Sequence, residues 1–161
     1  MLDQRNHQDT FAEQYVRALA AAAGVRVYED DDGLLGFRYP EKSGYLASPA
    51  IDVRVMSCAT PSYQGPDLLF SGLDEVGYNE LVEGPFLVPR HLFVVVVPQE
   101  GDRYAQVRTE GLTLGRLCYH RGFEDEQPIA SPSATRPTTV RVPLGNVLTA
   151  RSLRELAGRS A

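Results

Sequence analysis

The spacing of apolar residues predicts a helix over residues 10–23. Apolar side chains recur at the three- and four-residue intervals of one helix face, at Phe11, Tyr15, Val16 and Leu19. Thr10 and Glu13 match a capping box, which we expect at the helix N-terminus. Gly24 is typical of the residue that ends a helix. The chain is therefore expected to open with one amphipathic helix.

Three strands are predicted to follow this helix, over residues 25–28, 34–39 and 50–60. The acidic stretch EDDDG at 29–33 is expected to form a turn, and residues 40–49 a loop. In AIDVRVMSCAT, Ile51, Val53 and Val55 alternate with polar or longer side chains. Strand geometry therefore places Asp52, Arg54 and Met56 together on the second face.

The run LFVVVV at 92–97 is bounded by prolines and predicts a strand buried on both faces. Around it we expect a loop over 58–66, a strand near 68–72, and a short helix that Asp74 caps. We then expect strands or connectors near 104–109 and 117–122, followed by a mobile loop over 124–137. The chain is expected to end with a strand over 138–143 and a helix that Thr149 opens. The pattern indicates one α/β (α+β) domain over residues 1–161, with a mixed β-sheet flanked by helices.

Composition narrows the classes of protein further. The chain is 43% hydrophobic and 23% charged, as in globular proteins. Its first residues are too polar for a secretory signal, and its longest aliphatic run is too short to span a bilayer, so we expect a cytoplasmic protein without a membrane partner. Cys58 and Cys118 are expected to be free thiols. The net charge of −5 argues against nonspecific coating of nucleic acid, although a local basic patch is compatible with it. Fifteen of the sixteen cations are arginine.

Several stretches follow one another in the order of a known bacterial family. FAEQYVRALAAAAG resembles an opening helix with a glutamate and an A-x-x-A-G end, and AIDVRVMSCAT lies where that family has a strand of the type x-D-V-Q-L-K-T-T. GYNEL, VPRHLFVVVVP and VRVPLGNVLTARSL resemble its later motifs in order. The chain thus resembles bacterial putative-nuclease domains of unknown function in the restriction-endonuclease-like, PD-(D/E)xK, superfamily. The resemblance covers nearly the whole chain and implies that fold and a setting in bacterial defence or DNA processing.

The same resemblance implies that the catalytic motif is degenerate. In such nucleases an acid on one strand and a D/E/Q-x-K pair on the next hold Mg²⁺ and assist the attacking water. Here the pair falls on Arg54 and Met56, and the acid on about Leu35. A thioether, a leucine and an arginine cation are all poor partners for Mg²⁺. The single lysine, Lys42, has no acid two residues before it, so the expectation is no intact catalytic residue and no metal cofactor.

Three acids remain as a possible remnant site, namely Glu13, Asp32 and Asp52. Glu13 matches the helix glutamate of the family, but it is also the expected partner of Thr10 in a capping box. Asp32 belongs to an acidic run that is typical of a solvated turn. Asp52 and Arg54 form a D-x-R pair, in which arginine suits phosphate binding better than proton transfer. Separately, Cys118 and His120 share a strand face, but no orienting acid accompanies this candidate thiol-imidazole pair.

Three hypotheses follow for function. The leading one is a catalytically degenerate nuclease-fold protein, a pseudo-nuclease, that binds nucleic acid or a protein partner. The first alternative is an active Mg²⁺-dependent nuclease with a rearranged site, which requires at least three carboxylates to converge. The second is a subunit that only binds protein. A positive surface around Arg54 would favour nucleic acid, whereas an acidic or apolar face would favour a protein partner.

Overall fold

The computed structural model describes residues 3–38 and 50–158 of the chain. The helices are α1 (Gln4–Ala23), α2 (Glu75–Val82) and α3 (Ala150–Gly158), with one 3₁₀ turn at Gly101–Arg103. The strands are β1 (Arg26–Glu29), β2 (Leu35–Arg38), β3 (Ala50–Cys58), β4 (Ser62–Gln64), β5 (Asp67–Asp74), β6 (Arg90–Val96), β7 (Ala105–Arg108), β8 (Gly111–Leu114), β9 (Cys118–Gly122) and β10 (Pro137–Pro143). The predicted loop at 40–49, with Lys42, lies outside the described residues.

The main sheet has five strands in the order β1-β2-β3-β6-β9. The first three form an antiparallel meander, β6 runs parallel to β3, and β9 is antiparallel to β6. A parallel neighbour needs a crossover connection, and here it contains β4, β5 and α2. The predicted mixed α+β architecture, with helices and a mixed sheet, is confirmed.

Two hydrophobic cores lie on the two faces of the main sheet. The first core joins the sheet to α1 and α3, and the second joins it to α2 and to a three-stranded sheet of order β10-β5-β4. Along β6, Phe93 and Val95 belong to the first core, whereas Leu92 and Val94 belong to the second. All four are 0% exposed. The prediction that this strand is buried on both faces is confirmed, and the need to fill two cores explains its continuous aliphatic sequence.

The predicted start of α1 and its capping box are wrong. The helix begins at Gln4, where the Asp3 side chain accepts a hydrogen bond from the Asn6 backbone N–H. Thr10 therefore lies inside the helix, and Glu13 pairs with Arg17 one turn later at 2.8 Å. The end is as expected, because Gly24 takes a left-handed conformation with φ of 70°.

Both predicted helix caps are present, whereas one predicted loop contains a strand. The segment 58–66 is not only a loop, because it contains β4, which pairs with β5. Asp74 caps α2 by accepting from the Gly77 N–H, and the Thr149 hydroxyl accepts from the Ser152 N–H at the start of α3, both as predicted. Residues 124–136 contain no helix or strand, as predicted. Two hydrogen bonds between Asn79 and Ile129 nevertheless attach this segment to α2.

Candidate functional site

The second face of β3 is covered by other parts of the protein. Met56 packs against the second core. The Arg54 side chain is 26% exposed, and its guanidinium binds the Glu80 carboxylate of α2 at 2.6 Å. Arg90, on the neighbouring strand, donates to the Glu80 backbone carbonyl. Position 56 therefore serves packing and position 54 anchors α2 to the sheet.

The third degenerate position, Leu35, lies on the opposite face. It pairs with Val53 in the β2–β3 register and is buried in the first core. Arg54 and Met56 face the second core instead. The structure thus brings Arg54 and Met56 onto one face and does not bring Leu35 to them.

The three remnant acids do not lie together either. Glu13 is on α1, on the first-core face, where Arg17 joins it to Glu29. Asp52 is on the other face of the sheet, because its neighbours in β3, Ile51 and Val53, both point into the first core. Asp32 lies exposed in the turn that Asp30 organises, because the Asp30 carboxylate accepts from the backbone N–H groups of residues 32 and 34. Among residues 3–38 and 50–158, no group of three or more His, Cys, Asp or Glu side chains is arranged to hold a metal ion.

Arginines dominate one corner of the main sheet, at the N-terminal ends of β3 and β6. Arg26 and Arg38 lie directly opposite each other in the β1–β2 register, and both are exposed. On the same face, Arg90 lies opposite Asp52, and Arg54 follows Asp52 two residues later. We call Arg26, Arg38, Arg54 and Arg90 the arginine corner. The positive surface expected around Arg54 is found only in part, because Glu80 pairs with Arg54 and Asp52 lies among the four arginines.

Arg26 and Arg38 are the accessible part of the arginine corner. Neither makes an ion pair with another residue of the described chain. The Arg38 guanidinium lies 5.9 Å from the ring centroid of Tyr28, which is 49% exposed. Like charges directly opposite in a sheet destabilise it, so the pairing of Arg26 with Arg38 has a cost that no salt bridge in the described structure offsets.

Asp52 lies among these arginines, and the pKa of its carboxyl is nevertheless raised. Burial raises the pKa of its carboxyl above the ordinary value, and the nearby Asp30 raises it further. Arg90 and Arg38 lower the pKa, but by less. The carboxylate is therefore held beside two guanidinium groups without being fully stabilised by them.

The arginine corner was not found from the sequence, although two signals pointed to it. Arg26 and Tyr28 are two residues apart in a strand, as are Gly36 and Arg38, so each pair shares a face. The excess of arginine over lysine also favours phosphate binding. The sequence alone does not predict the pairing register of β1 and β2, which puts Arg26 opposite Arg38.

The candidate thiol-imidazole pair has the wrong electrostatics for nucleophilic chemistry. Cys118 is completely buried, and burial raises the pKa of its thiol far above the ordinary value. Burial also lowers the pKa of His120. The Cys118 thiol contacts the Tyr119 carbonyl at 3.8 Å, and His120 lies edge-on to Phe93. Both side chains thus have packing roles, and a thiolate is disfavoured at position 118.

A cleft of about 550 Å³ lies at the other edge of the main sheet, between β9 and α3. It is lined by His91, His120, Arg121, Gly122, Glu124, Asp125, Glu126, Asn146, Ser152, Glu155 and Leu156. Of these, four are carboxylates and one is an arginine, and that arginine is paired with Glu126. This edge is therefore acidic where the arginine corner is basic.

Comparison with protein-family models, with curated proteins and with solved structures found no match to this chain. No helix in the described residues is long and apolar enough to cross a membrane.

Proposed function

We propose that this chain is a nuclease-fold protein with a degenerate catalytic site that binds nucleic acid through its arginine corner and does not cut it. The observation that carries the proposal is the pair formed by Arg26 and Arg38, which are exposed, lie directly opposite each other and make no salt bridge within the described residues. An arrangement that costs stability and presents two guanidinium groups to solvent is well suited to neighbouring phosphates of one strand.

The restriction-endonuclease-like part of the proposal is supported by the order of elements. A helix, an antiparallel meander of three strands, a second helix and a buried parallel strand follow one another as the family resemblance implies, with β4 and β5 between the meander and the second helix. The loss of catalysis is supported by what occupies the degenerate positions. Leu35 and Met56 pack against two different cores, and Arg54 is engaged by Glu80. A setting in bacterial defence or DNA processing belongs to the same proposal.

The test is a binding titration by fluorescence anisotropy with single- and double-stranded DNA and RNA. The double variant R26Q/R38Q is expected to bind roughly tenfold more weakly, because it loses two exposed ion pairs with phosphate, each worth about 0.7 kcal/mol. R103Q/R116Q is the matched control, since it removes two exposed arginines located away from the corner. Equal affinities for the two double variants, or no binding by the wild-type protein, would overturn the proposal.

A cleavage assay with Mg²⁺ or Mn²⁺ separates binding from catalysis. We expect all substrates to remain intact at protein concentrations that saturate binding. Cleavage that is lost in E13A or D52N would instead favour the alternative of an active nuclease with a rearranged site.

A protein partner is the second candidate function, and the acidic cleft beside α3 is the observation that favours it. Its excess of carboxylates suits a basic segment of another protein and would repel nucleic acid. If charge-reversal variants in the cleft, but not in the arginine corner, changed the activity of the protein in cells, this second candidate would replace the first.

A further inference from the structure

A two-stranded hairpin carries an apolar face that the rest of the described chain leaves uncovered. The hairpin arm, residues 105–114, consists of β7 and β8, which pair with each other and with no other described strand. Val107 lies directly opposite Leu112 in this pairing, and the two side chains are 84% and 61% exposed. All ten residues of the hairpin arm are described, and none belongs to either hydrophobic core. The packing of the single chain therefore does not explain why this face is apolar.

The two faces of the hairpin arm differ completely in polarity. One face carries only apolar side chains, at Ala105, Val107, Leu112 and Leu114. The other face carries polar side chains and one glycine, at Gln106, Arg108, Gly111 and Thr113. Antiparallel strands with one apolar face usually pack that face against another surface, and a lone hairpin is only marginally stable in water. The apolar face is therefore expected to have a partner.

The base of the hairpin arm is fixed to α1. Tyr104, directly before β7, is buried, and the centroid of its ring lies 4.8 Å from that of Phe11. The Gly115 N–H, directly after β8, donates to the Tyr104 carbonyl. A Cβ atom built at Gly115 would lie 2.9 Å from the Phe11 ring, so the chain passes closely over α1 at this point. The hairpin arm is thus held in one position, which lowers the entropic cost of binding a partner.

The charges around the hairpin arm balance, which favours a second copy of the chain as this partner. Between residues 100 and 116 there are three acids and three arginines, namely Glu100, Asp102, Glu110, Arg103, Arg108 and Arg116. This stretch has no net charge, whereas the whole chain has a net charge of −5. Two like-charged copies repel each other least when they meet at neutral surfaces. An anionic membrane would instead select a surface with an excess of basic residues.

The size of the apolar face sets the strength of such a contact. Four paired residues in each strand make a face about 14 Å long and about 10 Å wide. A stable interface buries about 800 Å² of each partner, which is several times more than this face offers. Two hairpin arms therefore support a weak, reversible contact that is populated only at high protein concentration.

We propose that two copies of this chain associate through their hairpin arms in a weak, two-fold symmetric dimer, with Val107 and Leu112 of one copy packed against the same face of the other. An apolar centre with balanced charges around it is its own complement, as such an interface requires. The hairpin arm follows the C-terminal end of β6, and the Val96 N–H donates to the Leu117 carbonyl just beyond it. The arginine corner lies at the other end of β6, so the dimer leaves both corners accessible. The inference does not depend on the proposed function.

The test is sedimentation equilibrium of the full chain between about 1 µM and about 1 mM protein. The average mass should rise from that of one chain towards that of two, with a dissociation constant of about 0.1 mM. V107S/L112S should raise this constant at least about tenfold, because apolar area is lost from both copies. The matched control Q106S/T113S changes the neighbouring pair on the polar face and should keep the wild-type constant. Equal constants for the two double variants, or a wild-type protein that stays monomeric at about 1 mM, would overturn the proposal.

A charge swap at Val107 distinguishes self-association from any other occupant of the face. V107E and V107K should each stay monomeric, because like charges meet across the two-fold axis. An equimolar mixture should associate at least about tenfold more tightly than either variant alone, because opposite charges then meet. A mixture that shows only the average mass of its two components contradicts the proposal. Vesicles of phosphatidylglycerol that bind the wild type but not V107E, in the absence of any dimer, would assign the face to a membrane instead.

Discussion

Replacing Arg26 by glutamine is expected to stabilise the fold while it weakens binding. Arg26 and Arg38 are opposite each other and exposed, so their charges repel through water. At a separation of about 6 Å, Coulomb's law gives roughly 0.7 kcal/mol in water, and screening at physiological salt leaves roughly 0.3 kcal/mol. These values agree with the range of roughly 0.2–1 kcal/mol measured for cross-strand pairs. R26Q removes the repulsion and keeps the contact between Arg38 and Tyr28.

The assay is urea unfolding followed by circular dichroism at two salt concentrations. At about 0.01 M salt, where the screening length is long, R26Q should raise the free energy of unfolding by about 0.5 kcal/mol. At about 1 M salt the gain should vanish, because the charges no longer interact. R116Q, which removes an exposed arginine elsewhere, should show no such salt-dependent gain. In the same samples, R26Q should bind nucleic acid more weakly than R116Q does.

The outcome that would refute this reasoning is a loss of stability in R26Q at low salt. Such a loss would mean that Arg26 has a favourable partner, and that the pair is a structural feature rather than an anion site. A gain that is the same at both salt concentrations would also contradict the argument, because only an electrostatic gain is screened.

The remaining predictions concern Asp52, the free thiols and the core. The pKa of Asp52 is raised in the folded state, so ionisation costs stability, and D52N should be more stable than the wild type at pH 7. That advantage should disappear as the pH falls below 3.8, the ordinary pKa of an aspartate carboxyl, because Asp52 is then protonated in both states. Denaturant unfolding at several pH values measures it, and an advantage that does not change with pH would contradict the prediction. Burial raises the pKa of both Cys58 and Cys118, so a thiol reagent at pH 8 should react slowly with the native protein and fully after unfolding. Phe93 is 0% exposed, so replacing it by alanine should lower the free energy of unfolding by about 3–5 kcal/mol. A loss of less than about 1 kcal/mol in denaturant unfolding would mean that the core relaxes around the cavity.

The main elements could be predicted where one physical requirement dominated the local sequence. The aliphatic run of β6 is needed because two cores meet at that strand, and Asp74 is a capping residue directly before α2. The start of α1 could not be found in this way, because residues 4–9 are polar and show no apolar period. Asp3 and the packing of the later turns decide it instead.

Short exposed elements and long-range register escaped prediction for the same reason. The strand β4 has three exposed residues in a segment rich in proline and glycine, and it forms because β5 offers an edge. The candidate site depends on register as well. The sequence contains Arg26, Arg38 and Asp52, but only the pairing of β1, β2, β3 and β6 brings them to one corner. Conversely, the alternative of a rearranged nuclease site requires Glu13 and Asp52 to lie near each other, and they lie on opposite faces of the sheet, because α1 packs on the first core.

The most direct test of the central claim is the salt dependence of nucleic-acid affinity in the wild type and R26Q/R38Q. Each phosphate contact contributes about 0.7 to the slope of log K against log salt for single strands. The account predicts that the double variant has a slope smaller by about 1.4, corresponding to two lost contacts, whereas R103Q/R116Q keeps the wild-type slope. Equal slopes for all three proteins would contradict the claim that Arg26 and Arg38 bind phosphate.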